Sequence, residues 1–458
     1  MTLRIHDTYQ RRKVDFEPHD SNHVQFYVCG PTVYDYAHIG NARPIVVFDV
    51  LYRLLQRLYP KVTYVRNITD IDDKINARAV ESGESISEIT KRTTAQFHED
   101  IGALGAMEPD VEPCATDHVA EMIVMIEDLI AKGHAYAADG LVLFNVPSWD
   151  AYGRLSRHSR DELVAGARVD VAPYKQDAAD FVLWKPSSDN LPGWDSPWGR
   201  GRPGWHIECS AMATKYLGDR FDIHGGGQDL IFPHHENEIA QCLCDTPADG
   251  FSKYWMHNGY LMSEGEKMSK SLGNFYTINE LLKEYPGEAV RLLLLKTHYR
   301  QPLDFTKKGL DEAKRELDRF YGALRGSGTA SGGEGIDDAV KSALTDDMNT
   351  PSAVTALHGK LRDLNNTQDV DGRAAVAQSL VYAGAVLGLL QDDPEAWFTW
   401  RPTGAGGLED GDIEAMIQQR TDARAAKDFA TSDRIRDELA DAGIVLEDKP
   451  DGTIWRRG

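Results

Sequence analysis

A chain of 458 residues, 41% of them hydrophobic and 27% charged, has the composition of a globular protein and the length of about three to five structural units. It has no run of about 18 apolar residues and no apolar signal segment at its start, so we expect a cytoplasmic protein without a membrane partner. The net charge of −22 argues against a nucleic-acid binder, although an acidic protein can carry a local basic track. Five widely spaced cysteines do not predict a disulfide framework.

The first third of the chain alternates predicted strands and helices. Strands are predicted at 24–29, 61–68 and 220–224, and a helix at 43–58 has apolar residues at helical spacing. Strand–helix–strand spacing predicts a right-handed crossover and a parallel sheet. Because ligands of such sheets bind beyond the carboxyl ends of the strands, we expect a site beside Cys29 and Thr69.

Later segments change character. Residues 114–204, with a helix at 117–132 and a strand at 141–146, read as an insertion into the α/β fold, and a helix is expected from Pro233. Helices are predicted within 277–321 and 337–390, separated by a glycine-rich stretch at 326–333. After a second break at 403–407, a polar helical region at 412–442 and a short hairpin at 444–455 form a small terminal unit.

Four distant residues, Cys29, Cys209, His234 and Glu238, are candidate ligands of one metal site. His234 and Glu238 are four positions apart and share one face of a helix. Two thiolates, an imidazole and a carboxylate suit zinc, but structural zinc sites usually show local pairs such as C-x-x-C. Four unrelated polar residues remain the alternative. Competing ligands are His206, His224, His235, Cys242 and Cys244.

A second motif, His38-Ile39-Gly40-Asn41, follows the first strand and a Gly30-Pro31 turn and opens the predicted helix. The free N–H groups of a helix N-terminus bind phosphate oxygens, and His38 can donate to a phosphoryl oxygen. An ordinary helix cap is the alternative interpretation.

A third motif, Lys267-Met268-Ser269-Lys270-Ser271, lies between Gly265 and Gly273. Two lysines three positions apart between glycine hinges suit a mobile clamp on a polyphosphate, with a solvated basic loop as the alternative. Upstream, Gly226 allows close approach of the backbone to a ligand, and Asp229 either accepts from a ribose hydroxyl or caps the next helix.

In this order the motifs resemble those of the bacterial cysteinyl-tRNA synthetases, a family of class I aminoacyl-tRNA synthetases, essentially end to end. Residues 31–41 and 267–271 correspond to the two class I signatures, and 66–74 and 232–238 look like stretches particular to the cysteine enzymes. The resemblance implies a Rossmann-like α/β parallel-sheet catalytic domain with an inserted connective domain, then a helical bundle domain and a small C-terminal anticodon-binding unit.

The domain bounds that follow are expectations. They are the first half of the catalytic domain at 1–113, the connective domain at 114–204, the second half of the catalytic domain at 205–262, the lysine-signature loop and stem-contact region at 263–325, the helical bundle domain at 337–400 and the anticodon-recognition unit at 408–458.

In the family, zinc binds the sulfur of the substrate cysteine, and the resemblance places its ligands at Cys29, Cys209, His234 and Glu238. A packing pocket separates cysteine from serine by only about 1–3 kcal/mol, whereas zinc deprotonates a thiol outright. The other implied site residues are His38, Lys267 and Lys270 for catalysis; Gly30, Thr32, His38, Asn41, Gly226, Asp229 and Lys270 for ATP; Thr69, Trp205 and His206 for cysteine; and Arg424, Phe429, Asp433 and Asp448 for the anticodon.

The resemblance implies a ligase that activates L-cysteine with ATP and Mg²⁺ to cysteinyl adenylate and transfers it to the 3′ end of tRNA(Cys). We expect one zinc per chain and a monomer. Asn41 departs from the histidine that usually ends the first signature. An amino-sugar ligase of the mycothiol type is disfavoured by the terminal unit. An inactive binding paralogue is disfavoured by the intact motifs, and a zinc-dependent nucleic-acid-binding protein by the acidic charge.

Overall fold

The structure is a computed structural model that describes residues 2–158, 173–243, 250–269, 272–327, 336–404, 406–449 and 452–457. Within these ranges no helix is both long and apolar enough to span a membrane. The strands are β1 (Arg4–Asp7), β2 (Arg12–Asp15), β3 (Val24–Val28), β4 (Val62–Arg66), β5 (Ala135–Ala138), β6 (Leu141–Phe144), β7 (Phe181–Pro186), β8 (Gly201–Pro203), β9 (Arg220–Gly227), β10 (Phe251–Asn258), β11 (Leu261–Ser263), β12 (Leu303–Phe305), β13 (Ile444–Lys449) and β14 (Gly452–Arg457).

The α-helices follow the same chain order. They are α1 (Ile39–Leu58), α2 (Asp73–Ser82), α3 (Ile86–Ala103), α4 (Val119–Ala131), α5 (Trp205–Leu217), α6 (Glu236–Leu243), α7 (Ile278–Glu284), α8 (Gly287–Leu295), α9 (Lys307–Leu324), α10 (Asp338–Thr345), α11 (Thr350–Asn366), α12 (Val370–Ala385), α13 (Pro394–Thr399), α14 (Asp410–Ala425) and α15 (Phe429–Asp441).

A parallel sheet in the order β10-β9-β3-β4 forms the centre of the catalytic region, which confirms the predicted α/β class. The three predicted strands are present, and the third extends to Gly227. The first helix begins at Ile39, four residues before the predicted start. Strand β10 was not predicted, because Lys, His and Asn interrupt its apolar residues although it is almost entirely buried.

The insertion carries an antiparallel sheet in the order β5-β6-β7-β8. The predicted helix at 117–132 is a 3₁₀ turn, Ala115–His118, followed by α4. The insertion shares a hydrophobic core with α5, which belongs to the catalytic region, through residues such as Trp184 and Met212. The insertion is therefore packed against the helix that carries Cys209.

The segments beyond residue 277 that were predicted to be helical are helical in the structure, and each is divided into several helices. The stretch 277–321 holds α7, α8 and most of α9, with the short strand β12 before α9, and 337–390 holds α10 to α12. Of the glycine-rich stretch at 326–333, only residues 326 and 327 lie within the described ranges. The polar region at 412–442 is two helices, separated where Lys427 adopts a φ of 60°, and the predicted hairpin is β13–β14.

Candidate active site

The structure brings the four predicted metal ligands together at the carboxyl ends of β3 and β9. The Cys29 Sγ lies 3.6 Å from the Cys209 Sγ and 3.5 Å from Oε1 of Glu238. His234 Nε2 lies 3.1 Å from the same carboxylate oxygen, and all four ligand atoms fall within 4.8 Å of one another. A tetrahedral zinc ion with bonds of about 2.0–2.3 Å holds its ligand atoms about 3.3–3.8 Å apart. The cluster therefore has the dimensions of a zinc site.

The helix expected from Pro233 is wrong in detail. A short π-helical turn, Ile231–His235, comes first, and the α-helix begins at Glu236. Phe232 has an extended backbone (φ −140°, ψ 132°), which prevents a regular α-helix from running through this turn. His234 and Glu238 nevertheless face the same side, as their 3.1 Å contact shows.

The cluster is buried, and burial disfavours the charged forms of its thiol and imidazole groups. Burial raises the pKa of the Cys29 thiol, to which Cys209 and Glu238 add, and burial lowers the pKa of His234 to about 3. Oε2 of Glu238 is buried without a hydrogen-bond partner among the described residues. A divalent cation favours the thiolate, uses the neutral imidazole as a ligand and compensates the carboxylate. The donor set and the unpaired oxygen both fit such an ion.

Two of the competing histidines also reach the cluster. His224, on β9, and His235 form a second possible metal group together with Cys29 and Glu238. His206 Nδ1 lies 2.9 Å from His234 Nδ1 and therefore contacts a candidate ligand without joining either group. Cys242 is partly buried and packs at the edge of the core shared with the insertion, and Cys244 lies outside the described residues.

The residues predicted to contact cysteine surround this cluster. The half-exposed indole of Trp205 stacks on His234, with 4.3 Å between ring centroids. The buried Thr69 donates to Oε2 of Glu208 at 3.1 Å. Asn67 donates to the Thr69 hydroxyl at 3.1 Å. Glu208 and Asn67 had no predicted role, although Asn67 lies in the stretch 66–74 and Glu208 is the neighbour of the candidate ligand Cys209.

Three residues predicted to bind ATP have structural roles beside the cluster. At Gly30, a Cβ atom would lie 1.6 Å from the Asn67 carbonyl oxygen, and at Gly226 it would lie 2.9 Å from the His235 ring. Thr32 pairs with Thr69 in an isolated parallel bridge. Both glycines are therefore required by close packing of the loops that carry the site.

The His38 motif forms the cap of α1. Nδ1 of His38 accepts from the Gly40 N–H at 3.1 Å, and Oδ1 of Asn41 accepts from the His38 N–H at 3.1 Å. Because Nδ1 is an acceptor here, a neutral His38 carries its proton on Nε2. Burial lowers the pKa of His38, and the carboxylate of Asp229 opposes that shift. The helix-cap interpretation is thus correct, and it leaves the Nε2–H free of the cap.

The lysine loop lies next to this helix start. The Ile39 N–H donates to the Tyr276 carbonyl at 3.0 Å, which ties the end of the loop to α1. The Met268 methyl group lies 3.0 Å from the position of a Cβ on Gly40. Lys267 is exposed, and Lys270 lies outside the described residues, together with Ser271.

Asp229 lies in a 3₁₀ turn after β9 and borders a cavity of about 520 Å³ that also reaches Arg11, His257, Tyr260 and Arg300. No side-chain cap is formed at this turn or at the one that follows it, so the capping interpretation of Asp229 is wrong. The side chain instead folds toward Gly227, where a Cβ would lie 2.3 Å from Oδ1.

In the terminal unit, Arg424 Nη1 lies 2.8 Å from Oδ2 of Asp448. Asp448 also forms two hydrogen bonds of 2.8 Å with Arg420, which the sequence analysis missed because only the fold brings α14 beside β13. On α15, the side chain of Phe429 is 64% exposed and Asp433 pairs with Arg436 at 3.0 Å.

A parallel sheet with a ligand cluster at its carboxyl edge, a histidine-capped helix start and a lysine loop beside it defines a class I aminoacyl-tRNA synthetase. Residues 15–315 match the family described as the tRNA synthetases class I (C) catalytic domain. Residues 339–391 match the DALR domain, and residues 409–456 match the cysteinyl-tRNA ligase anticodon binding domain. The chain belongs to the cysteine–tRNA ligase family.

Full-length relatives agree with this membership. The chain is 62% identical to the Cysteine–tRNA ligases of Rhodospirillum rubrum and Paramagnetospirillum magneticum, over 100% of this chain and 100% of each relative. It is 54% identical to that of Xanthomonas campestris pv. campestris, over 100% of this chain and 99% of the relative.

Solved structures support the fold at much lower identity. Mycobacterium tuberculosis methionyl-tRNA synthetase in complex with methionyl-adenylate is similar with a TM-score of 0.53 and 14% identity, over 80% of this chain and 89% of that one. The LeuRS–tRNA–LeuAMS complex of Agrobacterium radiobacter K84 has a TM-score of 0.58 and 13% identity, over 94% of this chain and 89% of that one.

Proposed function

We propose that this chain is a cysteine–tRNA ligase that activates L-cysteine with ATP and transfers the cysteinyl group to the 3′ end of tRNA(Cys). The observation that carries this proposal is the buried cluster of Cys29, Cys209, His234 and Glu238 at the carboxyl edge of a class I catalytic sheet. A thiol-binding centre at that place gives an activating enzyme a means of recognising cysteine.

Selection of cysteine is assigned to these four residues holding zinc. When bound, zinc supplies a Lewis acid that takes a thiolate in preference to an alcohol, so a serine hydroxyl is rejected. Trp205 and His206 support this role by fixing the ring of His234 through stacking and a 2.9 Å contact. The buried hydrogen bond between Thr69 and Glu208 keeps the neighbouring loop in place.

For activation, the carboxylate of cysteine attacks the α-phosphorus of ATP, and pyrophosphate leaves. The Nε2–H of His38, which the helix cap leaves free, donates to the phosphate oxygens. Lys267 and Lys270, with Mg²⁺, stabilise the charge of the departing pyrophosphate. Asp229 accepts from the ribose. This step needs no protein nucleophile.

For transfer, a terminal ribose hydroxyl of the tRNA attacks the carbonyl carbon of the cysteinyl adenylate, an ester bond forms, and AMP leaves as the mixed anhydride breaks. Arg424, Phe429, Asp433 and Asp448 contact the anticodon, with Phe429 stacking on a base. The exposure of the Phe429 ring supports this role. The proposal also includes the domain bounds given above. It further holds that the chain is a monomer with one zinc.

The test is cysteine-dependent ATP–pyrophosphate exchange by the purified protein, with serine in parallel and zinc counted on the same sample. We expect exchange with cysteine, almost none with serine, and about one zinc per chain. Zinc without exchange would contradict the catalytic role. Exchange without zinc would contradict the assigned basis of selectivity.

A further inference from the structure

The metal cluster offers more ligand atoms than one tetrahedral ion uses. A first group consists of Cys29, Cys209, His234 and Glu238. A second group consists of Cys29, His224, His235 and Glu238, with its four ligand atoms also within 4.8 Å of one another. The two groups share Cys29 and Glu238, so they differ in only two ligands.

We propose that the second group is an alternative zinc position of this chain. The inference rests on the proposed zinc function, since the two positions share Cys29 and Glu238.

The distances order the two positions. His224 Nε2 lies 3.4 Å from the Cys29 Sγ and 3.4 Å from Oε2 of Glu238, which are suitable edges for a zinc tetrahedron. His235 Nε2 lies 3.9 Å from Oε1 of Glu238, somewhat beyond such an edge. The corresponding contacts within the first group are 3.1–3.6 Å. The second position therefore needs a small contraction, and it has one thiolate instead of two, so it binds zinc more weakly.

Unpaired polar atoms support the second position. His235 Nε2 and Glu238 Oε2 are buried and have no hydrogen-bond partner within the described ranges. Both belong to residues of the second group, and the first group makes no use of His235. A cation at the second position satisfies both atoms, whereas a cation at the first leaves the His235 nitrogen unpaired.

The two additional imidazoles are already held in orientation. His235 Nδ1 lies 2.7 Å from His257 Nε2, and His257 Nδ1 lies 2.8 Å from the Thr8 hydroxyl. When His235 carries its proton on Nδ1, its Nε2 presents a lone pair to the cluster. The ring of His224 is stacked against Trp255, with 4.6 Å between centroids. Neither ring needs a new rotamer to become a ligand.

The two positions also differ in where the ion lies. His234, which belongs only to the first group, is stacked under the half-exposed Trp205, on the proposed substrate side. His224, which belongs only to the second, lies against the buried Trp255. The second position therefore retains zinc in the protein away from the surface that receives cysteine.

The decisive variant is Cys209→Ser/His234→Gln in the full chain, because it removes two ligands of the first group and none of the second. We expect this variant to bind one Co²⁺ per chain, roughly tenfold or more weaker than the parent chain, with about half of its thiolate-to-cobalt charge-transfer absorption. Adding His224→Gln or His235→Gln abolishes that binding. The matched control adds His118→Gln, a buried histidine that belongs to neither group and contacts Cys114 and Tyr216 instead, and it leaves the binding unchanged.

Two results overturn the second position: no cobalt in the double variant, or cobalt that persists after either His224→Gln or His235→Gln is added. If the double variant does not fold by circular dichroism, the single Cys209→Ser chain is crystallised with zinc. The anomalous peak is expected beside His224, and a peak beside His234 overturns the inference. A parent chain that binds no metal would instead contradict the proposed function.

Discussion

At the scale of single residues, Cys29 occupies the centre of the candidate metal site. Its sulfur lies 3.6 Å from the Cys209 Sγ, 3.5 Å from Oε1 of Glu238 and 3.4 Å from His224 Nε2. It is a member of both possible metal groups. One thiol therefore decides whether either position can be filled.

Replacing this thiol tests that conclusion directly. We expect Cys29→Ser to lose zinc and cysteine-dependent ATP–pyrophosphate exchange together, since a serine hydroxyl stays protonated and binds zinc poorly. Zinc affinity should fall by roughly 100-fold or more, beyond the 10–100-fold effect of losing an outer-shell partner. Cys114→Ser, outside both groups, is the control. Retained zinc with normal exchange would remove Cys29 from the site.

Asn41 permits a second prediction at this scale. Its side-chain oxygen accepts from the His38 N–H. The asparagine that stands in place of the family's usual histidine therefore serves as part of the helix cap. We expect Asn41→Ala to lower the free energy of unfolding by about 0.5–2 kcal/mol and Asn41→Asp to lower it less, because aspartate keeps the acceptor. Urea unfolding measures both. Equal losses in the two variants would contradict the capping role.

At the scale of elements, α8 joins the catalytic region to the helices that follow. Glu288 accepts from the Leu390 N–H and from the Tyr321 hydroxyl, both at 2.5 Å. Burial raises the pKa of Glu288 to about 7, against a usual value of 4.5. This carboxyl group makes the packing of α8 sensitive to pH.

The sign of the pH dependence follows from the raised pKa. Between about 4.5 and 7 the folded chain retains a proton on Glu288 that the unfolded chain has released, so the free energy of unfolding falls as the pH rises across this window. Glu288→Gln, which cannot ionise, should flatten the slope in urea unfolding at several pH values.

The matched control for this measurement is Glu316→Gln. Burial raises the pKa of Glu316, but hydrogen bonds from His358 and Lys296 outweigh it and hold the pKa at about 2, so its effect falls below the window. An unchanged slope in Glu288→Gln would contradict the assignment.

At the scale of the whole molecule, the terminal unit has a hydrophobic core of its own. Its buried residues are Ile413, Ile435, Leu439, Ile444 and Trp455, whereas one larger core runs from the catalytic sheet into α10 to α12. Polar contacts join the unit to the rest of the chain, such as the 3.1 Å hydrogen bond from Arg325 to the Trp455 carbonyl. Amino-acid activation and tRNA recognition should therefore be separable by mutation.

Asp448 provides the test of that separation. We expect Asp448→Asn to leave cysteine-dependent ATP–pyrophosphate exchange unchanged and to lower kcat/KM for tRNA charging about tenfold to a hundredfold, the equivalent of about 1–3 kcal/mol for one lost polar base contact. The control is Glu447→Gln, which loses only an ion pair with Arg456 at 3.6 Å. Reduced exchange in Asp448→Asn, or unchanged charging, would contradict the proposed role.

The sequence by itself determined the α/β class, the family and the four candidate metal ligands, together with the helices and strands that it predicted, which did not include strand β10. Hydrophobic periodicity and short motifs are local properties of the chain, so the strands at 24–29 and 61–68 and the cap at His38 could be predicted from neighbouring residues. The pairing of His234 with Glu238 was predicted from helical spacing, and the two side chains do face one side, although a π-helical turn and an α-helix take the place of the single helix expected from Pro233.

Only the tertiary structure decided which distant side chains meet. The contacts of Cys29 with His224, of Asp448 with Arg420 and of Glu288 with Leu390 join segments far apart in the chain, and no local pattern encodes them. Strand β10 became recognisable through burial on both faces, despite its polar residues. The second metal group is likewise formed only by the tertiary structure, which brings its four ligand atoms within 4.8 Å of one another. Two buried atoms of its residues, His235 Nε2 and Glu238 Oε2, have no hydrogen-bond partner among the described residues.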